Sequence, residues 1–161
     1  MASLEIARQF VDEMIAHAQQ DDPNECCGIL IGENGAVIET RRVTNIVDEK
    51  NKPFRYQMAP LEYASIDEEC SANGWTLWGF YHSHTRSQAY PSKTDQNLAF
   101  WPGTKDPIWP DSYYLLVSLE NKDEPVVRAY TISPPDADTD DDFLVEEHEL
   151  RVIESPVPNS A

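Results

Sequence analysis

Residues 75–95 read WTLWGFYHSHTRSQAYPSKTD, and the first half of that stretch leaves the chain little choice of architecture. Trp75 to Tyr81 is a run of aromatic and bulky apolar residues around one glycine, which predicts a buried strand. His82, Ser83 and His84 continue it. Alternate residues of a strand face the same side, so His82 and His84 present two imidazoles together while Ser83 turns the other way. One rigid central element thereby offers two nitrogen ligands.

Beyond a loop over residues 85–91, the pair Pro91-Ser92 marks a helix start, because the proline restrains the residue before it and Ser92 can cap. Asp95 then falls in the first turn, facing back toward the loop. Two imidazoles and a carboxylate with a fourth position left open form the donor set of a catalytic divalent metal. Zinc suits it best, and iron or cobalt would also fit.

The pattern His82-Ser83-His84, seven residues, Ser92, two residues, Asp95 resembles the motif of the JAMM (MPN+) zinc metalloprotease family, with matching spacing throughout. Residues 23–32, PNECCGILIG, are similar to that family's other signature, a Glu followed by an apolar strand containing glycine. The wording HSHT…AYPSKTD resembles the small prokaryotic members that act on ubiquitin-like sulfur-carrier proteins. The resemblance spans residues 4–132. It implies a cytidine-deaminase-like JAMM/MPN fold, with Zn2+ held by His82, His84 and Asp95. It further implies that Glu25 accepts and returns the proton, and that the Ser92 hydroxyl donates to the oxyanion. The reaction implied is hydrolysis of the amide after the C-terminal Gly-Gly of a ubiquitin-like sulfur carrier, releasing a group such as cysteine. On position alone Glu25 reads as a solvated turn residue; the resemblance reverses that reading.

Three rivals are weighed against it. A zinc nucleoside deaminase needs His-x-Glu and Pro-Cys-x-x-Cys, and neither occurs here. A non-catalytic MPN scaffold would have lost ligands, whereas Glu25, His82, His84, Ser92 and Asp95 all stand. A RadC-like protein shares the metal spacing and differs in the loop, where His-x-His-Pro-Ser-Gly would replace His-Ser-His-Thr-Arg-Ser.

Charge narrows the partners. With 29 acidic against 12 basic residues the formal charge is −17, which repels nucleic-acid phosphates. No apolar run approaches a membrane span and residues 1–5 lack a signal-peptide pattern, so a cytoplasmic protein without membrane contact is expected. The three cysteines, Cys26, Cys27 and Cys70, are an odd count with two adjacent, and they read as small core residues.

Along the chain, Ile6, Phe10, Met14, Ile15 and Ala18 predict an amphipathic helix from Ser3 to the Asp21-Asp22-Pro23 stop, with His17 on its surface. Glu33-Asn34-Gly35 predicts a hairpin. Residues 54–58 alternate and read as an exposed or edge strand, onto which a substrate tail could pair. Residues 60–73 predict a helix with Leu61, Ala64, Ile66 and Cys70 inward, and residues 94–100 a short one. Residues 101–111 hold two tryptophans among prolines, so they either rim the site or fold over the core. A hairpin of residues 113–119 and 126–132 follows. The order predicts an α/β domain, a mixed β-sheet flanked by helices, over residues 1–133. Residues 134–161 supply an acidic linker, a final short element and a tail expected to be disordered.

Overall fold

The computed structural model describes residues 3–135 and 143–154. Its elements in chain order are β1 (Ser3–Ala7), α1 (Arg8–Asp21), β2 (Cys27–Glu33), β3 (Ala36–Val43), a 3-10 turn (Glu49–Asn51), α2 (Pro60–Asn73), β4 (Thr76–His84), α3 (Lys93–Leu98), β5 (Tyr113–Ser118), β6 (Val126–Ser133) and β7 (Leu144–Ile153). Among the described residues the strands form one seven-stranded sheet in the order β1-β7-β6-β5-β4-β2-β3. Only β1 with β7 and β4 with β5 run parallel, so the sheet is mixed and the α/β expectation holds.

The sheet separates two cores. On one face α1 lays Phe10, Val11, Met14 and Ala18 against Leu30, Tyr81, Leu115 and Val117. On the other, Ile66 and Cys70 of α2 and the Ala99-Phe100 pair pack on Ile29, Ile31, Phe80 and Tyr114. Alternation along β2 sends Cys26 to the first core and Cys27 to the second, and all three cysteines are buried and free, as expected.

β4 lies near the middle, between β5 and β2, and is buried from Trp78 to His84. Tyr81 crosses β2 at Gly28, where a Cβ would lie 2.3 Å from the tyrosine ring. Glycine there lets the Tyr81 hydroxyl reach His17 Nδ1, 2.8 Å away on α1. His17 is therefore buried and not on the surface as its helical position suggests; its other ring nitrogen faces Asp21 at 3.2 Å. The β2–β3 hairpin turns on Asn34 and Gly35, both at positive φ, as the Asn-Gly pair predicts.

Three further expectations are corrected, and one left open is resolved. The first helix does not begin at Ser3: residues 3–7 form β1, in parallel register with β7, and no side chain caps α1. Ile6 satisfies both a helical and an alternating period, and pairing with a distant strand decides between them. Residues 54–58 are not a strand; Asn45 and Met58 make a single antiparallel bridge there. The inner side of α2 is Tyr63, Ile66 and Cys70, whereas Leu61 is 86% exposed and Ala64 is exposed too. Residues 101–111 divide: Trp109 folds over the core, stacked on Phe80 at 3.9 Å with its Nε1–H donating to Tyr63 Oη at 2.8 Å, while Trp101 stays exposed.

β7 comes from the segment expected to follow the domain, and it lies within the sheet between β6 and β1. The acidic run 136–142 and residues 155–161 lie outside the described residues. No helix among the described residues is long and apolar enough to cross a membrane.

Candidate metal and catalytic site

β4 ends at one rim of the sheet, and its last alternate residues bring His82 and His84 to the same face with their Nε2 atoms 3.3 Å apart. Ser83 points to the opposite face, where its Oγ accepts the Cys26 amide at 2.8 Å. That bond ties the end of β4 to the residue after Glu25. Asp95 reaches the pair from α3. Ser92 caps that helix, its Oγ accepting the Asp95 amide at 3.1 Å, while Asp95 Oδ2 accepts the Ser92 amide at 2.8 Å. This reciprocal box fixes the carboxylate, and the same Oδ2 lies 3.1 Å from Nε2 of both histidines.

The loop between is pinned at four points. His84 Nδ1 lies 2.9 Å from the Gln88 carbonyl, so it donates and leaves Nε2 as the ring's electron-pair donor. The Ser118 hydroxyl donates to Ser87 O at 2.6 Å, Tyr130 donates to Ala89 O, and Gln96 Nε2 donates to Pro91 O at 3.1 Å. His82 is oriented differently, by the flat ring of Tyr56 stacked on it at 4.4 Å and 25°.

Three electron-pair donors thus converge inside the protein, with His82 and His84 buried and Asp95 nearly so. Such atoms repel at this distance unless protons or a cation lie among them. The electrostatics carry the same signature. Burial opposes ionisation of Asp95, yet His82, His84 and the Ser92 amide hold its carboxyl far below the usual carboxylate range. Burial likewise opposes protonation of His84, and Asp95 with the Gln88 carbonyl outweighs it and raises the imidazole. The donor set, its burial and the orienting bond on His84 all fit a divalent metal.

Glu25 stands at the mouth of β2, 5% exposed, its amide donating to Lys52 O at 2.7 Å. Burial pushes its carboxyl up to about 8; His84 opposes the shift and Asp95 adds to it, which places the group within electrostatic reach of the triad. A cavity of about 480 Å³, lined by His17, Asp21, Arg42, Asn45 and Lys52 among others, opens beside it. The structure therefore gathers all five residues singled out in the sequence: His82, His84 and Asp95 in mutual contact, Ser92 through its cap on Asp95, and Glu25 beside them. Tyr56 and Asn45 escaped the sequence reading. Tyr56 lies in a short alternating run and Asn45 in residues 44–47, TNIV, which carry no motif, and the contacts that give both importance come from other parts of the chain.

The family described as prokaryotic homologs of the JAB domain matches residues 7–133. The chain belongs to this family. Among JAB-domain relatives, the CysO-cysteine peptidase of Mycobacterium tuberculosis is 33% identical over 129 residues, covering 80% of this chain and 82% of that one. The desampylase of Haloferax volcanii is 37% identical over 106 residues, covering 62% of this chain and 75% of that one. In three dimensions the JAB domain seen here is similar to the solution structure of a Desulfitobacterium hafniense protein, with a TM-score of 0.71 and 30% identity over 94% of both chains.

Proposed function

We propose that this JAB-domain chain is a zinc-dependent peptidase that hydrolyses the amide after the C-terminal Gly-Gly of a ubiquitin-like sulfur carrier, releasing an amine such as cysteine. The observation that carries the reading is the convergence of His82 Nε2, His84 Nε2 and Asp95 Oδ2 with the buried carboxyl of Glu25 at the mouth of the neighbouring strand. Names of relatives supply the substrate class: a CysO-cysteine peptidase and a desampylase. Its three cysteines are all free, in keeping with a reducing cytoplasm.

His82, His84 and Asp95 would hold the ion, which when bound supplies Lewis acidity toward the scissile carbonyl and toward a water at neutral pH. Glu25 takes a proton from the attacking water as the new carbon–oxygen bond forms, and returns a proton to the nitrogen as the carbon–nitrogen bond breaks. Burial suits it to both tasks, because a carboxylate poorly solvated by water takes up a proton readily. Ser92 sits at the start of α3 with its oxygen accepting the Asp95 amide, which leaves its hydroxyl hydrogen for the oxyanion. The products are a free carboxyl on the carrier and a free amine.

The test uses a purified carrier ending in Gly-Gly followed by an amide-linked cysteine, incubated with the zinc-loaded chain and weighed. Loss of the cysteine mass, absent in His82→Ala and His84→Ala chains that no longer retain about one zinc, is the expected result. An intact carrier alongside digestion of unrelated peptides would mean a general metallopeptidase.

A further inference from the structure

Residues 44–58 leave β3, double back and return, and one side chain ties that excursion together. Asn45 uses its whole hydrogen-bonding capacity. Its Nδ2 donates to the Glu25 carbonyl at 3.1 Å and to the Arg55 carbonyl at 3.0 Å. Its Oδ1 accepts the Val47 amide at 3.1 Å and the Gln57 amide at 3.0 Å. Two donors on one atom and two acceptor positions on its neighbour are what a primary amide has, and the partners fix which atom is which. Aspartate would match the shape and supply no donor; glutamine would carry the head one methylene too far.

The partners bear on the chemistry directly. Arg55 and Gln57 flank Tyr56, so Asn45 grips the backbone on both sides of the residue whose ring covers His82. Its fourth bond holds the backbone of Glu25. The same excursion adds a second tie, Lys52 O accepting the Glu25 amide. His84 owes its orientation to the Gln88 carbonyl, whereas no hydrogen bond to His82 Nδ1 occurs among the described residues, so that ring is held by its Asp95 contact at one edge and by the Tyr56 stack on its face.

We infer that Asn45 is a positioning residue for the reaction, its side-chain amide setting Glu25 and, through Tyr56, His82 in one fixed relation. The inference rests on the metal-site reading above and goes beyond it, because it assigns the alignment of proton carrier and ligand to a residue that touches neither substrate nor reacting atoms.

The experiment compares Asn45→Ala, Tyr56→Leu and Tyr56→Phe in the full chain. Cobalt binding is measured by chelator competition and visible absorption, backbone amide exchange in the metal-free chain, and turnover in the zinc form. Tyr56→Leu should weaken cobalt binding on the order of 10–100-fold, the usual effect of losing a group that orients a ligand, and change the cobalt spectrum. Tyr56→Phe keeps the stack and should do neither. Asn45→Ala should weaken cobalt binding, speed exchange at the Val47 and Gln57 amides that donate to its Oδ1, and lower kcat on the order of 10–100-fold with KM nearly unchanged. A folded Asn45→Ala chain with wild-type cobalt affinity, spectrum and kcat overturns the inference. Should that variant not fold, wild-type cobalt affinity in Tyr56→Leu overturns it alone. A wild-type chain that takes up no cobalt overturns the metal reading and this inference together.

Discussion

Glu25 is the residue whose surroundings run furthest against its chemistry. A carboxyl ordinarily near 4.5 is pushed up to about 8 by burial, so between those values the metal-free folded chain keeps a proton that the unfolded chain releases. Stability contributed by this group is then present below about 4.5 and lost as pH rises through about 8, since stability falls wherever the folded state binds more protons. Glu25→Gln abolishes the titration. Denaturant melts of the metal-free proteins should show the variant gaining on the wild type between pH 5 and pH 8, whereas a constant gap would remove Glu25 as a buried titrating group. The variant should also bind metal as the wild type does and lose at least about 10²-fold in turnover in the proposed reaction, because the amide fills the space without taking a proton.

At the scale of elements, the site is two short pieces of regular structure meeting at right chemistry. The β4 end and the α3 start were legible because both rules are local: alternation puts His82 and His84 on one face, and a serine three positions before an aspartate makes a reciprocal cap. Tyr56 was not legible, for its importance comes from a loop folded back onto His82, and no spacing within residues 54–58 announces that. His17 was misplaced for a related reason, since its burial depends on a tyrosine 64 positions later reaching across a glycine. The observed cap and the proposed oxyanion role of Ser92 separate by measurement. Ser92→Ala should lose about 1 kcal/mol of stability with its cap and, separately, about 10²–10³ in kcat with its hydroxyl. A loss confined to KM would make Ser92 a substrate-binding residue, and unchanged turnover would leave it a cap alone.

On the scale of the whole molecule, the mixed sheet with helices on both faces was readable from the order of elements, and its outer edge was not. Pairing of β1 with β7 sets Ser3 against Glu149, and that distance in sequence is why residues 3–7 read as the beginning of a helix. Deleting residues 144–153 strips the covering from β6 and leaves β1 without a partner. Such a chain should lose cooperative thermal unfolding and aggregate on warming, as unpaired strand edges do; a truncated chain that melts as sharply as the full one would show that β7 is dispensable.

That same pairing sets an order of events in the cell. A ribosome that has delivered β4, α3 and β5 has released every ligand of the site, yet the strand made first still has nowhere to lie. It must wait for one of the last to appear, and a contact so distant along the chain is slow to form. The chemistry can therefore be assembled on the nascent chain before its outer wall is closed, and the interval between the two is when this protein has most need of a chaperone.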